Sequence, residues 1–356
     1  MTASDANFDG VLAGTLGGIA AGQLSTDTEE SDYEYLVTLG VAAATAVDAL
    51  VGANIGPPPP IAAQANLLDE ISFGFWMGRN PSSGTSGDSS ASIDTALGES
   101  GLMNGIVNAY EEALVNLGSG GTGTTSTFRN NAFAGALGGM LAQASQVPQS
   151  VNSDNQGDYA YITSQAYAFA VTIDMAIPAV GGTPTVLSNL VCELAFAWSD
   201  GRNPSGQDGG FDNYSPMAEA IATVYALGAA AIASPPDGAP TSAAVWDAAL
   251  CGGLGGMLAG QLSTDDTTGD WSSYIAAAVA FAYAIDVVFA AVSADTEGGL
   301  PTTTAAQDML RQICHAWMRN RNPPQSVAAH SVISNGYLDI AGGIVAYFAE
   351  AAPYLL

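Results

Sequence analysis

Lysine is absent from this chain of 356 residues. All six basic residues are arginines, Arg79, Arg129, Arg202, Arg311, Arg319 and Arg321, set against 34 acidic residues for a net charge of −28. Duplex binding depends on Lys and Arg displacing the counterions of the phosphates, so no nucleic-acid partner is expected. Surplus acid together with missing lysine fits adaptation to high salt, where screening removes self-repulsion, or a lysine-avoiding lineage. Cation binding and mimicry of a nucleic acid by an acidic inhibitor are the competing explanations.

Cysteine and histidine are almost as scarce, with three of the first and two of the second. There is no Cys-x-x-Cys pair, which leaves little material for a zinc site or a Cys/His nucleophile. Cys192, Cys251 and Cys314 lie in apolar stretches and read as small buried hydrophobes, and His315, beside Cys314, reads as a core residue. The N-terminal Met-Thr-Ala-Ser-Asp-Ala-Asn-Phe-Asp lacks a basic stretch, so no Sec signal peptide is visible. Glycine-rich segments lack the Lys-Ser/Thr that a phosphate-cradling loop requires.

Charged residues make up only 11% of the chain against 48% hydrophobic, a core-forming composition. The longest apolar runs, such as Ile275 to Val292, are alanine-rich and contain Asp286. They predict buried helices in a soluble protein with no membrane span, in a particle such as a virion or in the cytoplasm.

What the chain does contain is itself, three times over. Leu16-Gly17-Gly18 recurs as Leu137-Gly138-Gly139 and Leu254-Gly255-Gly256, and Gly22-Gln-Leu-Ser-Thr-Asp27 recurs as Gly260-Gln-Leu-Ser-Thr-Asp265. Each copy continues through an acidic loop into an apolar segment that opens near Tyr33, Tyr159 or Trp271 and holds one mid-segment acid, Asp48, Asp174 or Asp286. A third segment closes on Trp76 and Arg79-Asn-Pro, Trp198 and Arg202-Asn-Pro, or Trp317 and Arg321-Asn-Pro. A final apolar segment completes each copy, and strand signals are nearly absent. The expectation is an all-α protein of three tandem four-helix repeats, about twelve helices, at residues 8–120, 128–238 and 241–356. These pack as one repeat domain, either a pseudo-threefold bundle or solenoid or a body like an (α/α)6 toroid.

The repeated residues predict architecture. Arg79, Arg202 and Arg321 are expected to pair with Asp48, Asp174 and Asp286 as structural ion pairs, with Trp76, Trp198 and Trp317 as structural aromatics. Glu70 and Glu193 occupy matching positions, where the third copy has Gln312, and paired carboxylates are the equipment of glycoside hydrolysis. Asp27, Asp32, Asp154, Asp158, Asp266 and Asp270 lie in the acidic loops, where carboxylate oxygens suit Ca²⁺; capping of the following helix by Asp32, Asp158 and Asp270 is the simpler expectation. No other cofactor is expected. The function expected is that of a non-enzymatic structural protein that assembles with itself or another assembly protein. A carbohydrate-active enzyme on an (α/α)6 toroid, using Glu70 and Glu193, is the alternative.

Overall fold

The structure, a computed structural model, describes residues 3–23, 33–55, 62–79, 100–117, 126–145, 156–180, 187–202, 214–236, 242–262, 270–321 and 335–355. These residues are helical almost throughout, and none of them forms a strand. The helices are α1 (Ala3–Gln23), α2 (Tyr33–Asn54), α3 (Ala62–Arg79), α4 (Ser100–Leu114), α5 (Ser126–Ser145) and α6 (Gln156–Ala176). They continue with α7 (Ser188–Arg202), α8 (Tyr214–Ala233), α9 (Ala243–Gln261), α10 (Trp271–Asp295), α11 (Thr304–Arg321) and α12 (Asn335–Ala351). Alanine favours helix more than any other residue. Helices α3, α7 and α11 each stop at the arginine of Arg-Asn-Pro, because proline disfavours helical geometry at the asparagine before it.

The odd-numbered helices form the interior. Helix α1 packs on α3, α3 on α5, α5 on α7, α7 on α9, α9 on α11, and α11 on α1. Most of their described side chains are buried. The even-numbered helices lie outside them and touch one another in the same succession, from α2 through α12 and back to α2.

Glycine sets how closely the inner helices approach. A Cβ on Gly14 would be driven into the carbonyl oxygen of Asp69, one on Gly135 into that of Cys192, and one on Gly252 into that of Arg311. One turn later Gly18, Gly139 and Gly256 meet the carbonyls of Phe73, Phe196 and His315 in the same way. Numbers rise together in every pair, so the paired inner helices run parallel. Outer helices run against them: Tyr33 at the start of α2 meets Trp317 near the end of α11 at 6.4 Å, Tyr159 of α6 meets Phe75 of α3 at 6.3 Å, and Trp271 of α10 meets Trp198 of α7 at 5.6 Å. The aromatics Trp76, Trp198 and Trp317 are all buried, as are the three cysteines.

One expectation is overturned. Helices α2, α8, α9 and α10 are each long and apolar enough to cross a membrane, with mean hydropathy of 1.8, 1.4, 1.3 and 2.3 over their best windows. A soluble chain without a membrane span therefore does not follow from the sequence. The acidity that suggested it spares these four helices, which hold only Glu34, Asp48, Glu219, Asp247, Asp286 and Asp295 of the 34 acidic residues. Asp286, which made the Ile275 to Val292 run look unsuited to lipid, is buried inside the protein.

Close approach predicts opposite outcomes for two glycine substitutions. Gly252→Ala should destabilise by about 1–3 kcal/mol through overpacking against α11. Gly342→Ala, on α12 with nothing near its Cβ position, should stabilise by about 0.5–1 kcal/mol through helix propensity. Chemical denaturation of both variants measures the contrast.

Candidate functional site

The matching positions of α3, α7 and α11 converge at the centre of the inner helices. There the first segment supplies Asp69-Glu70, the second Cys192-Glu193 and the third Arg311-Gln312, and none of the six is more than 1% exposed. Arg311 bonds to a carboxylate on each of the other two helices. Its Nη2 donates to Asp69 Oδ2 at 2.6 Å and its Nη1 to Glu70 Oε1 at 2.8 Å. The same Nη1 donates to Glu193 Oε1. Gln312 Nε2 donates to Asp69 Oδ1 at 2.9 Å and to Glu70 Oε1 at 3.0 Å, and the Cys192 thiol donates to Glu70 Oε1 at 3.2 Å. Glu193 Oε2 is shared with Nδ1 of His315.

One turn further along the same helices stand Phe73, Phe196 and His315. Their rings meet edge to face in a closed triangle, with centroids 5.1 Å apart for Phe73 with Phe196 and with His315, and 5.0 Å for Phe196 with His315. The next turn holds a second ion pair, in which Arg319 Nε donates to Asp200 Oδ2 at 2.7 Å and Gln143 Nε2 donates to Asp200 Oδ1 at 2.8 Å. Glycine seals the other side of the cluster. A Cβ on Gly255 would stand 2.6 Å from Glu193 Oε2, and one on Gly17 would stand 2.8 Å from the Cβ of Gln312.

The electrostatics follow from this enclosure. Charges stripped of water are costly unless paired and hydrogen-bonded. Three carboxyl groups share one guanidinium, with Asp308 as a fourth acid 3.8 Å from Arg311 Nε. Hydrogen bonds from Gln312, Cys192 and His315 occupy further carboxylate lone pairs. Removing the guanidinium would leave the acids facing one another in a sealed space.

Glu70 and Glu193, expected as a pair from their matching positions, do come together. They meet on Arg311, with no exposed face for a glycan. His315 is a core residue as expected, and it is also bonded to Glu193. Asp48, Asp174 and Asp286 sit on the outer helices α2, α6 and α10, the last two buried. The side chains of Arg79, Arg202 and Arg321 lie outside the described residues, and so do the expected ion pairs. Of the calcium candidates, Asp27, Asp32, Asp154 and Asp266 lie outside the described residues, as does the side chain of Asp158. Asp158 falls inside α6, so it is not a cap. Asp270 does precede α10, but its side chain makes no cap hydrogen bond; its carbonyl accepts from the Ser273 hydroxyl at 2.8 Å. Among the described residues no group of three acid, His or Cys side chains is placed to hold a metal ion.

Sequence reasoning missed the roles of Arg311, Asp69, Asp200 and Arg319, and it read Cys192 as a buried residue without its bond to Glu70. A signal was present. The residue before Glu70, Glu193 and Gln312 is Asp, Cys or Arg, so charge at that position balances only when the three segments are taken together. No protein-family model matches the chain, and comparisons with curated proteins and with solved structures find no match either.

The cluster predicts a rescue experiment. Arg311→Met should destabilise by about 3–5 kcal/mol, as for a buried charge network that loses one partner. Adding Glu70→Gln and Glu193→Gln to that variant should restore part of the loss, because it removes the uncompensated charge. Urea unfolding of the single and triple variants measures both steps.

Proposed function

We propose that the chain is a non-enzymatic structural building block. On this proposal its three segments, residues 8–120, 128–238 and 241–356, are tandem four-helix repeats closed into an (α/α)6 toroid. Its centre is a lock rather than an active site, and it assembles with copies of itself or another assembly protein through the part of its surface that carries Val115 and Met175. One observation carries this reading: Arg311, itself fully buried, fills the space between the two carboxylates that an enzyme would need free. Catalysis by such a pair requires a substrate between or beside the carboxylates, with room for a water or a nucleophilic attack.

Other contacts support closure. Tyr33 against Trp317 joins the first segment to the third in the way that Tyr159 against Phe75 and Trp271 against Trp198 join the other neighbours. Large apolar side chains on the outside, including Val115 at 76% exposure and Met175 at 71%, are available for contact with a partner. The glycosidase alternative gains from the convergence of Glu70 and Glu193 and loses to their burial.

The test is mass by light scattering of the detergent-solubilised protein, with negative-stain microscopy of the same samples, from low to molar salt. Discrete rings, filaments or shells are the expected outcome, and a monomer under every condition would overturn the proposal. A panel of polysaccharides should show no turnover; turnover abolished by Glu70→Gln or Glu193→Gln would establish the enzyme instead. Salt adaptation predicts in addition that melting temperature rises steadily up to molar salt, as screening relieves the repulsion of a net charge of −28.

A further inference from the structure

We infer that three of the six outer helices, α2, α8 and α10, face lipid, and that the protein sits in a bilayer with acyl chains against them. Three of the four helices long and apolar enough to cross a membrane belong to the outer layer. Their apolar windows are only 39%, 44% and 39% buried, against 78% for the inner helix α9. An apolar helix hidden in a core explains itself, but one that leaves more than half of its window unburied does not. Helix α10 has 25 residues, a length of about 37 Å, enough to cross a hydrocarbon core of about 30 Å with some tilt.

Charge is kept away from the middle of this surface. Among the described residues, the exposed acids of the outer helices are Glu34, Glu111, Glu219, Asp295, Asp339 and Glu350, all in the first or last two turns of their helices. No outer helix carries a basic residue. Before Asp295, the one charged residue of α10 is Asp286, which is buried. A helix whose outer face met water would have no reason to exclude charge over that length.

Hydroxyl groups repeat the pattern. The exposed Thr38, Thr45, Ser164 and Thr223 donate to the carbonyls of Glu34, Val41, Tyr161 and Glu219 on their own helices, at 2.8 to 2.9 Å. Each is satisfied without water, as a polar group in hydrocarbon must be. Aromatic residues mark one edge of the band. Tyr33 on α2, Tyr161 on α6, and Trp271 and Tyr274 on α10 lie in the first two turns of helices that begin at the same end of the molecule, and all four are partly or largely exposed. Tyr and Trp at one level are the signature of a membrane–water interface.

The full chain should stay in the pellet when membranes of the expressing cells are washed with alkaline carbonate, and should float with phosphatidylcholine vesicles after reconstitution. Trp271 is the tryptophan nearest the surface, so phosphatidylcholine brominated on its acyl chains should quench part of the fluorescence, and Trp271→Phe should remove the quenchable part. Val287→Arg, in the middle of the α10 band, should reduce recovery in the membrane fraction several-fold. Ser273→Arg, at the aromatic edge, should leave recovery unchanged. Release by carbonate as a folded, monodisperse protein that needs no detergent would overturn the inference. So would unquenched tryptophan in the reconstituted wild-type protein, a readout that does not depend on whether Val287→Arg folds.

Discussion

Everything at the centre of this protein depends on one guanidinium. Arg311 reaches Glu193 across 118 residues of sequence and Glu70 across 241, so a single side chain joins all three segments of the chain. A buried cation on one helix and carboxylates on two others make each segment incomplete alone. The first segment without the third would bury acid without a counter-charge, and the third without the first would bury an arginine without a partner. An energetic demand of that kind imposes one arrangement, because alternatives that separate the groups strand charge away from water.

The glycine pattern and the charge cluster are two parts of the same design. Helices can bring Asp69, Glu193 and Arg311 to one point only if their backbones approach closely, and Gly14, Gly135 and Gly252 make that approach at the level of the cluster. The residues facing the centre need room as well, and Gly255 leaves it for Glu193 and His315. Each glycine in a helix costs about 1 kcal/mol of propensity relative to alanine. That cost is accepted where the chain approaches itself most closely, and it is offset by the packing and ion pairing that the approach permits.

Much of this was legible in the sequence. The repeated Arg-Asn-Pro marked where helices stop, and Glu70 and Glu193 stood at matching positions of their segments. Arg311 was not legible as their partner, because it obeys no repeat: it stands where the other segments have Asp69 and Cys192, and attention to repeated residues passes over it. The apolar outer helices were hidden for a different reason. A net charge averages over the whole chain, whereas the environment of a helix depends on its own outward residues, and those of α10 carry no charge between Trp271 and Asp295.

The central claim is that α3, α7 and α11 are held as one body by the charge cluster at which they meet. Native-state hydrogen exchange resolved by helix tests it most directly, since amides that open together exchange with the same free energy. The account predicts that α3, α7 and α11 exchange as a single unit at the highest protection in the molecule, and that Arg311→Met lowers all three together. Protection that differs between the three helices, with one segment opening while the others stay closed, would contradict it.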